Sequence, residues 1–168
     1  MPIKYTIRSA QVGDEAQIAQ VQVDTWRFAY ANIIDHEFLA NLPYEGSEKK
    51  WQKIIKKQAP FFVADIEGRV VGFVVGGKSR IRNENCAAEI FALYIYPKYQ
   101  NLGIGRSLLG RMTKELYESG FAELHLQVLS GNSATQFYES CGWSRIGDGK
   151  FEIGGKKYDV ILYCHDKR

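Results

Sequence analysis

The chain has little cysteine. Its three thiols, Cys86, Cys141 and Cys164, are odd in number and far apart, and no CxxC pair exists. Such spacing suggests neither a disulfide framework nor a zinc site. An excess of one charge is also missing. The net charge is +3 over 168 residues, and Lys and Arg are scattered apart from Lys49, Lys50, Lys53, Lys56 and Lys57. That surplus is too small to argue for nucleic acid, and the lysine cluster reads as the solvated face of a helix. The first ten residues, MPIKYTIRSA, hold no apolar signal core, and no run reaches the length of a membrane span. Reduced thiols, a cytoplasmic location and no membrane or nucleic-acid partner are therefore expected. No internal repeat or low-complexity tract interrupts the chain.

What remains is ordinary globular material. Hydrophobic residues make up 45 % and charged residues 24 %. The length suits a single domain over 1–168 with a core of its own. Lys4 to Arg8 alternates like a strand, and Asp14 is placed to cap a helix carrying Ile18, Val21 and Trp26 on one stripe. That helix breaks near Asn32, and a short helical piece over 36–42 follows. Pro43 and Gly46 read as a loop, with Ser47 capping a helix through Lys57. FFVADI and RVVGFVVGG form a hairpin around Glu67-Gly68. After the polar loop SRIRNEN comes AAEIFALYIY, apolar on both faces except at Glu89, which points to the centre of a mixed sheet. The helix bearing Leu108, Leu109, Met112 and Leu116 stops at Gly120. AELHLQVL is a strand, NSATQFYESCGW a short helix, and the tail forms two strands joined around Gly154-Gly155. The order β-α-α-β-β-β-α-β-α-β-β predicts an α/β protein.

The segment YQNLGIGRSLLGRM places Gly103 and Gly105 between a strand and a helix. A helix start carries unpaired N–H groups and about half a positive charge, so bare backbone there suits an anion such as a pyrophosphate. A tight strand-to-helix turn with no ligand is the plainer alternative. Two other phosphate cradles fail on spacing. Gly105-Arg106-Ser107 lacks the Walker lysine, and Leu108 stands where a dinucleotide fingerprint needs its third glycine.

Gln100-Asn101-Leu102-Gly103-Ile104-Gly105 resembles the Q/R-x-x-G-x-G/A signature of the GCN5-related N-acetyltransferases. LYIYPKYQ resembles that family's central strand with its terminal proline, and FYESCGW its FYE-x-x-GF segment. The resemblance runs from about residue 4 to 164 and is most specific between 88 and 143. It implies a mixed, mostly antiparallel central sheet flanked by helices on both faces, the acyl-CoA N-acyltransferase fold. It implies direct acetyl transfer from acetyl-CoA to a primary amine, with no metal. The pantetheine arm would lie along Leu93, Tyr94 and Ile95, with the Ile95 N–H polarising the thioester. The pyrophosphate would sit on N–H groups from Asn101 to Ser107, with Arg106 adding charge. The loop contributors are thus Gln100, Asn101, Leu102, Gly103, Ile104, Gly105, Arg106 and Ser107. Family members commonly carry Asn seven residues before the tyrosine; here Gly131 stands there, and Asn132, one residue later, is the cofactor contact expected instead.

Tyr138 matches the family tyrosine and is the candidate acid; a core aromatic beside Phe137 is its bland alternative. Glu89 is the candidate base, against a strand-end carboxylate meeting solvent or Arg80. Gln127 occupies a second family base position and cannot take a proton usefully. His125 reads as a structural histidine. Trp26, Phe28 and Tyr30 could receive an acceptor cation, or simply pack in the core. A polyamine, another small amine, an amino acid or antibiotic, and a protein N-terminus all stay open as acceptors, as does homodimerisation through the C-terminal strands. A catalytically silent acyl-CoA-binding domain and a nucleotide-binding protein are the competing classes.

Overall fold

The computed structural model describes residues 2–81 and 86–167, so that 82–85 of the polar loop lie outside the described residues. In chain order the elements are β1 (Thr6–Ser9), α1 (Glu15–Ala29), α2 (His36–Ala40), α3 (Tyr44–Lys56), β2 (Phe61–Ile66), β3 (Arg69–Lys78), β4 (Ala87–Ile95), α4 (Ile104–Glu118), β5 (Glu123–Leu129), α5 (Ala134–Ser140), β6 (Ser144–Ile153) and β7 (Lys156–Asp166). Among the described residues, seven strands form one sheet in the order β1-β2-β3-β4-β5-β7-β6. Every neighbouring pair is antiparallel except β4 with β5.

Two of the caps differ from expectation. The third helix starts at Tyr44 behind extended Pro43, which encloses Gly46 and Ser47 within its first turns. Ser47 is therefore no cap; its hydroxyl donates to Gln22 Oε1 at 2.5 Å, which also accepts from Trp51 Nε1 at 2.8 Å. These bonds fasten α3 to α1. Asp14 does stand at the start of α1, but its side chain caps no helical N–H. Arg8 claims that carboxylate at 2.8 and 3.0 Å and also reaches Asp65 on β2 at 3.1 Å. Burial works to raise the Asp14 pKa, but the Arg8 and Gln11 hydrogen bonds outweigh it and hold the carboxyl below its usual range.

Each face of the sheet has its own core. On one side α4 buries Leu108, Leu109, Met112 and Leu116 against Ala88, Leu124 and Tyr163. On the other, Ile18 and Val21 of α1 and Trp51 of α3 pack on Val63 and Phe73. A third cluster joins Tyr30, Ile34 and Leu39 to Leu129, Ile153 and Val160. Strand β4 explains why AAEIFALYIY is apolar throughout. Ala88, Ile90, Leu93 and Ile95 belong to the α4 side, whereas Phe91, Ala92 and Tyr94 belong to the other. The alternation changes parity between Ile90 and Leu93, where the register with β3 passes from Gly76↔Ile90 to Val75↔Ala92. Phe91 is the extra residue of that β-bulge.

The parallel pair is short. Its register is Ala87↔Glu123, Ala88↔Leu124 and Glu89↔His125, and there the pairing ends. Beyond it β4 stays with β3 and β5 with β7, and the sheet splits between them.

Candidate functional site

A cavity of about 650 Å³ fills the split. One wall is β4 from Ile90 to Ile95, the other is Leu126, Gln127 and Val128 of β5. The Tyr96 N–H bonds Val71 O on β3 at 3.0 Å, so strand alternation turns the main-chain groups of Ile95 and Leu93 toward the split. The Ile95 carbonyl is already met by Gln100 Nε2 at 3.1 Å. That leaves the Ile95 N–H as a donor on the open edge.

The loop after β4 closes one end. Asn101 and Gly103 both adopt positive φ, at 62° and 87°. The first helical bond of α4 is Ser107 N–H to Gly103 O at 3.1 Å. The N–H groups of Ile104, Gly105 and Arg106 precede it and have no partner within the helix. The two glycines serve different ends. A Cβ on Gly103 would meet only the Tyr5 hydroxyl, at 3.7 Å, so its need is the left-handed backbone. A Cβ on Gly105 would lie 3.0 Å from Ile95 Cδ1 and 3.3 Å from Phe137, so glycine there lets α4 approach β4 and α5.

Most of the expected cofactor residues come together. Leu93, Tyr94 and Ile95 line the cavity, as do Gln100, Asn101, Gly103, Gly105, Arg106 and Asn132. Leu102, Ile104 and Ser107 do not. Ile104 is buried core, Leu102 points outward with 44 % exposure, and Ser107 Oγ is bonded to the Tyr5 hydroxyl at 2.7 Å. Arg106 Nη2 lies 3.3 Å from Ser140 Oγ at the rim. Asn132 Oδ1 accepts the Ala134 N–H at 2.9 Å and starts α5, with its side chain beside Tyr30.

Tyr138 lines the same cavity from α5. Burial pushes its pKa up, and the nearby Tyr94 and Cys141 add to the shift. Tyr94 and Tyr30 are raised likewise, chiefly by burial. The Trp26 ring packs edge-on to both, at 5.3 Å from Tyr30 and 6.3 Å from Tyr94. Its Nε1 is buried near the Tyr94 hydroxyl without an aligned hydrogen bond. Phe28 is 67 % exposed at the rim of the cavity.

Glu89 faces elsewhere. It lines a second cavity, of about 390 Å³, on the α1/α3 side of the sheet. The carboxylate is 1 % exposed and fully engaged. Oε1 accepts the Arg80 N–H at 2.9 Å, and Oε2 accepts Arg80 Nη2 at 2.8 Å. The Arg80 pairing is thus the alternative that the geometry favours. Trp26 and Tyr30 line this cavity too, with Tyr30, Tyr94 and Gln127 forming part of the wall common to both spaces. His125 is buried across from Glu89, with Nε2 at 3.3 Å from Glu123 Oε2 and neither ring nitrogen in an aligned hydrogen bond. Lys50 also lines the second cavity, with its ammonium 4.7 Å from the Trp51 ring centre. The lysine cluster had read as wholly solvated, and nothing in its spacing marked Lys50 apart.

A mixed sheet split beside a helix start defines the acyl-CoA N-acyltransferase fold. A PaiA N-acetyltransferase from Thermoplasma acidophilum, solved in complex with coenzyme A, shares it with TM-score 0.80 at 22 % identity, over 98 % of this chain and 99 % of that one. The acetyltransferase (GNAT) domain family matches residues 30–157. N-acetyltransferase YuaI of Bacillus subtilis, itself uncharacterised, is 34 % identical over 156 residues, 93 % of this chain and 90 % of its own. Spermidine N(1)-acetyltransferase of Thermoplasma acidophilum is 29 % identical over 161 residues, 91 % of this chain and 97 % of its own. The chain belongs to the GNAT acetyltransferase family.

Proposed function

We propose that the protein transfers an acetyl group from acetyl-CoA directly to a primary amine. The observation that carries this reading is the open β4 edge, continuous with the N-terminus of α4 and faced by Tyr138. When bound, acetyl-CoA supplies a thioester whose carbonyl carbon gains the acceptor nitrogen as its bond to sulfur breaks. The products are an amide and the free thiol of coenzyme A.

The chain's residues divide this work. Main-chain groups of Leu93 and Ile95 hold the extended arm, Tyr94 adds its side chain to the wall, and the Ile95 N–H stabilises charge growing on the carbonyl oxygen. The N–H groups of residues 101–106 bind the diphosphate, with Arg106 adding charge and Gln100 bracing the strand end, whereas the Ser107 N–H is spent on Gly103 O. Gly103, Ile104 and Gly105 act here through backbone, Leu102 supplies only main chain, and Ser107 closes the first turn of α4 behind them. Asn132 fixes the far wall. Tyr138 holds a proton for the departing sulfur. Even at its ordinary pKa of ~10 a phenol is a weaker acid than a thiol of ~8.5, so complete transfer is uphill by about 2 kcal/mol, and the burial of Tyr138 steepens it. A hydrogen bond that tightens as charge develops on sulfur fits these values better.

The acceptor must lose its proton first. For an alkylammonium of pKa ~10.4 this costs roughly 4.6 kcal/mol at pH 7. Glu89, at the back of the second cavity, is a base only if Arg80 yields its hold; otherwise water carries that proton out. The test is thiol release from acetyl-CoA with a panel of amines, alongside acetyl-CoA binding measured by thermal shift. Turnover with at least one amine is expected. Binding without turnover on any amine would instead make this an acyl-CoA sensor, and a larger shift with NAD or ATP would replace the ligand.

A further inference from the structure

The second cavity offers donors and positive charge. Arg80 spends Nε and Nη2 on Glu89, which leaves Nη1 without a hydrogen bond among the described residues. Lys50 makes no ion pair among the described residues, and its electrostatic neighbour is the like charge of Arg80. Although Lys50 is exposed by area, partial desolvation, and then Arg80, pull its pKa below the usual lysine range. The Gln22 amide is fixed in one orientation, because Trp51 Nε1 can only donate and so must meet its oxygen. Gln22 therefore turns its NH2 away from Trp51, and Gln22 itself lines the cavity. Against these stands one lining carboxylate, Glu89, whose pairing with Arg80 leaves the wall with one net positive charge, that of Lys50.

Such a wall repels a polyamine, whose every nitrogen is cationic at neutral pH. It attracts a compact anion. The remaining wall is aromatic and aliphatic, including Phe91, Phe151 and Ile153. Resting on the transferase reading above, we propose that the second cavity binds the carboxylate of the acceptor, so that the amine acetylated belongs to an amino acid with an apolar side chain. Arg80 Nη1 and Lys50 hold the carboxylate, and Glu89 keeps Arg80 in place. The same cations disfavour a protonated amine beside them, which lowers the cost of producing the nucleophile. The negative charge recruits the acceptor, and the positive wall helps strip its proton.

The experiment compares kcat/KM for L-phenylalanine and L-methionine with that for their primary amides, and with that for spermidine, by thiol release. The acids are expected to exceed their amides about tenfold, the loss of one charge-assisted contact, and spermidine to be poorer still. Because amides also have less basic amines, the decisive arm is Lys50→Gln. It is expected to raise KM for the acids far more than for the amides, so that the acid-to-amide ratio collapses, and Lys50→Arg is expected to restore that ratio. Binding of N-acetyl-L-phenylalanine, followed by thermal shift, is expected to weaken in Lys50→Gln in the same proportion. Spermidine turning over better than every acid would overturn the carboxylate assignment and leave the transferase reading standing. So would an acid-to-amide ratio untouched by Lys50→Gln. Acetyl-CoA binding with no turnover on any amine would overturn both.

Discussion

The two cavities meet at the split between β4 and β5, yet they are built from different materials. The first is mainly backbone. Its chemistry comes from an unpaired strand edge, a helix start and one phenol. The second draws on side chains gathered from α1, α3, β4, β5, the β6–β7 hairpin and Arg80 just past β3. Backbone presents the same N–H groups whatever its sequence, so the first cavity suits a ligand common to many relatives. A wall assembled from scattered side chains can change with little effect on the fold. Specificity for the acceptor is therefore expected in the second cavity.

The sharpest way to break that division is Tyr138→Phe. It is expected to lower kcat about hundredfold with little change in KM for acetyl-CoA, measured by thiol release; an undiminished kcat would remove the phenol from the reaction. Because burial raises the Tyr138 pKa, the phenol keeps its proton as pH climbs past the ordinary tyrosine value. No alkaline fall in rate from this group is expected below about pH 10. A decline near neutrality that vanishes in Tyr138→Phe would contradict this.

Gly105→Val tests whether the loop glycine serves packing. Branched atoms would be forced against Ile95 and Phe137, and a loss of about 2 kcal/mol in denaturant melts is expected. Unchanged stability would return Gly105 to a purely ligand-facing part. Glu89→Gln separates holding from base chemistry. If Glu89 holds Arg80, KM for the acceptor rises about tenfold and kcat stays level. A fall confined to kcat, recovered at high pH, would make Glu89 the base. The smallest effect lies away from both cavities. Asp14→Asn is expected to cost about 1 kcal/mol. The Asp14 pKa is lowered on folding, so its contribution is present above the unfolded value near ~4 and fades as pH falls through the folded one. Acid unfolding of the variant should be correspondingly less steep over that range.

Much of the first cavity was legible because its parts are local. A strand, a proline, Gln100, Gly103 and a helix stripe follow one another along the chain, and so do Phe137 and Tyr138. The order of strands and helices was legible for the same reason, down to the Glu67-Gly68 turn, where φ is 51° and 85°. The start of α3 was misread because Pro43 resembles a loop residue, although its extended backbone also suits the residue before a helix. The packing duty of Gly105 was hidden, since it depends on Ile95 and on Phe137, which lies far along the chain. Positive φ at Asn101 had no glycine to announce it. The second cavity was almost illegible: Gln22, Lys50 and Arg80 meet only through the tertiary fold, and Lys50 looks like its four neighbours. Only the Arg80–Glu89 contact could be named beforehand, from closeness in sequence.

The parallel seam between β4 and β5 is three residues long. It joins a four-stranded half to a three-stranded half, and past Glu89 no ladder of hydrogen bonds ties one to the other. A molecule lodged in the split would touch both halves at once and act as a removable rivet. Its affinity would then be felt as resistance of the whole sheet to unfolding, and amide exchange in β5 and β7 should slow when acetyl-CoA is added on the β4 side.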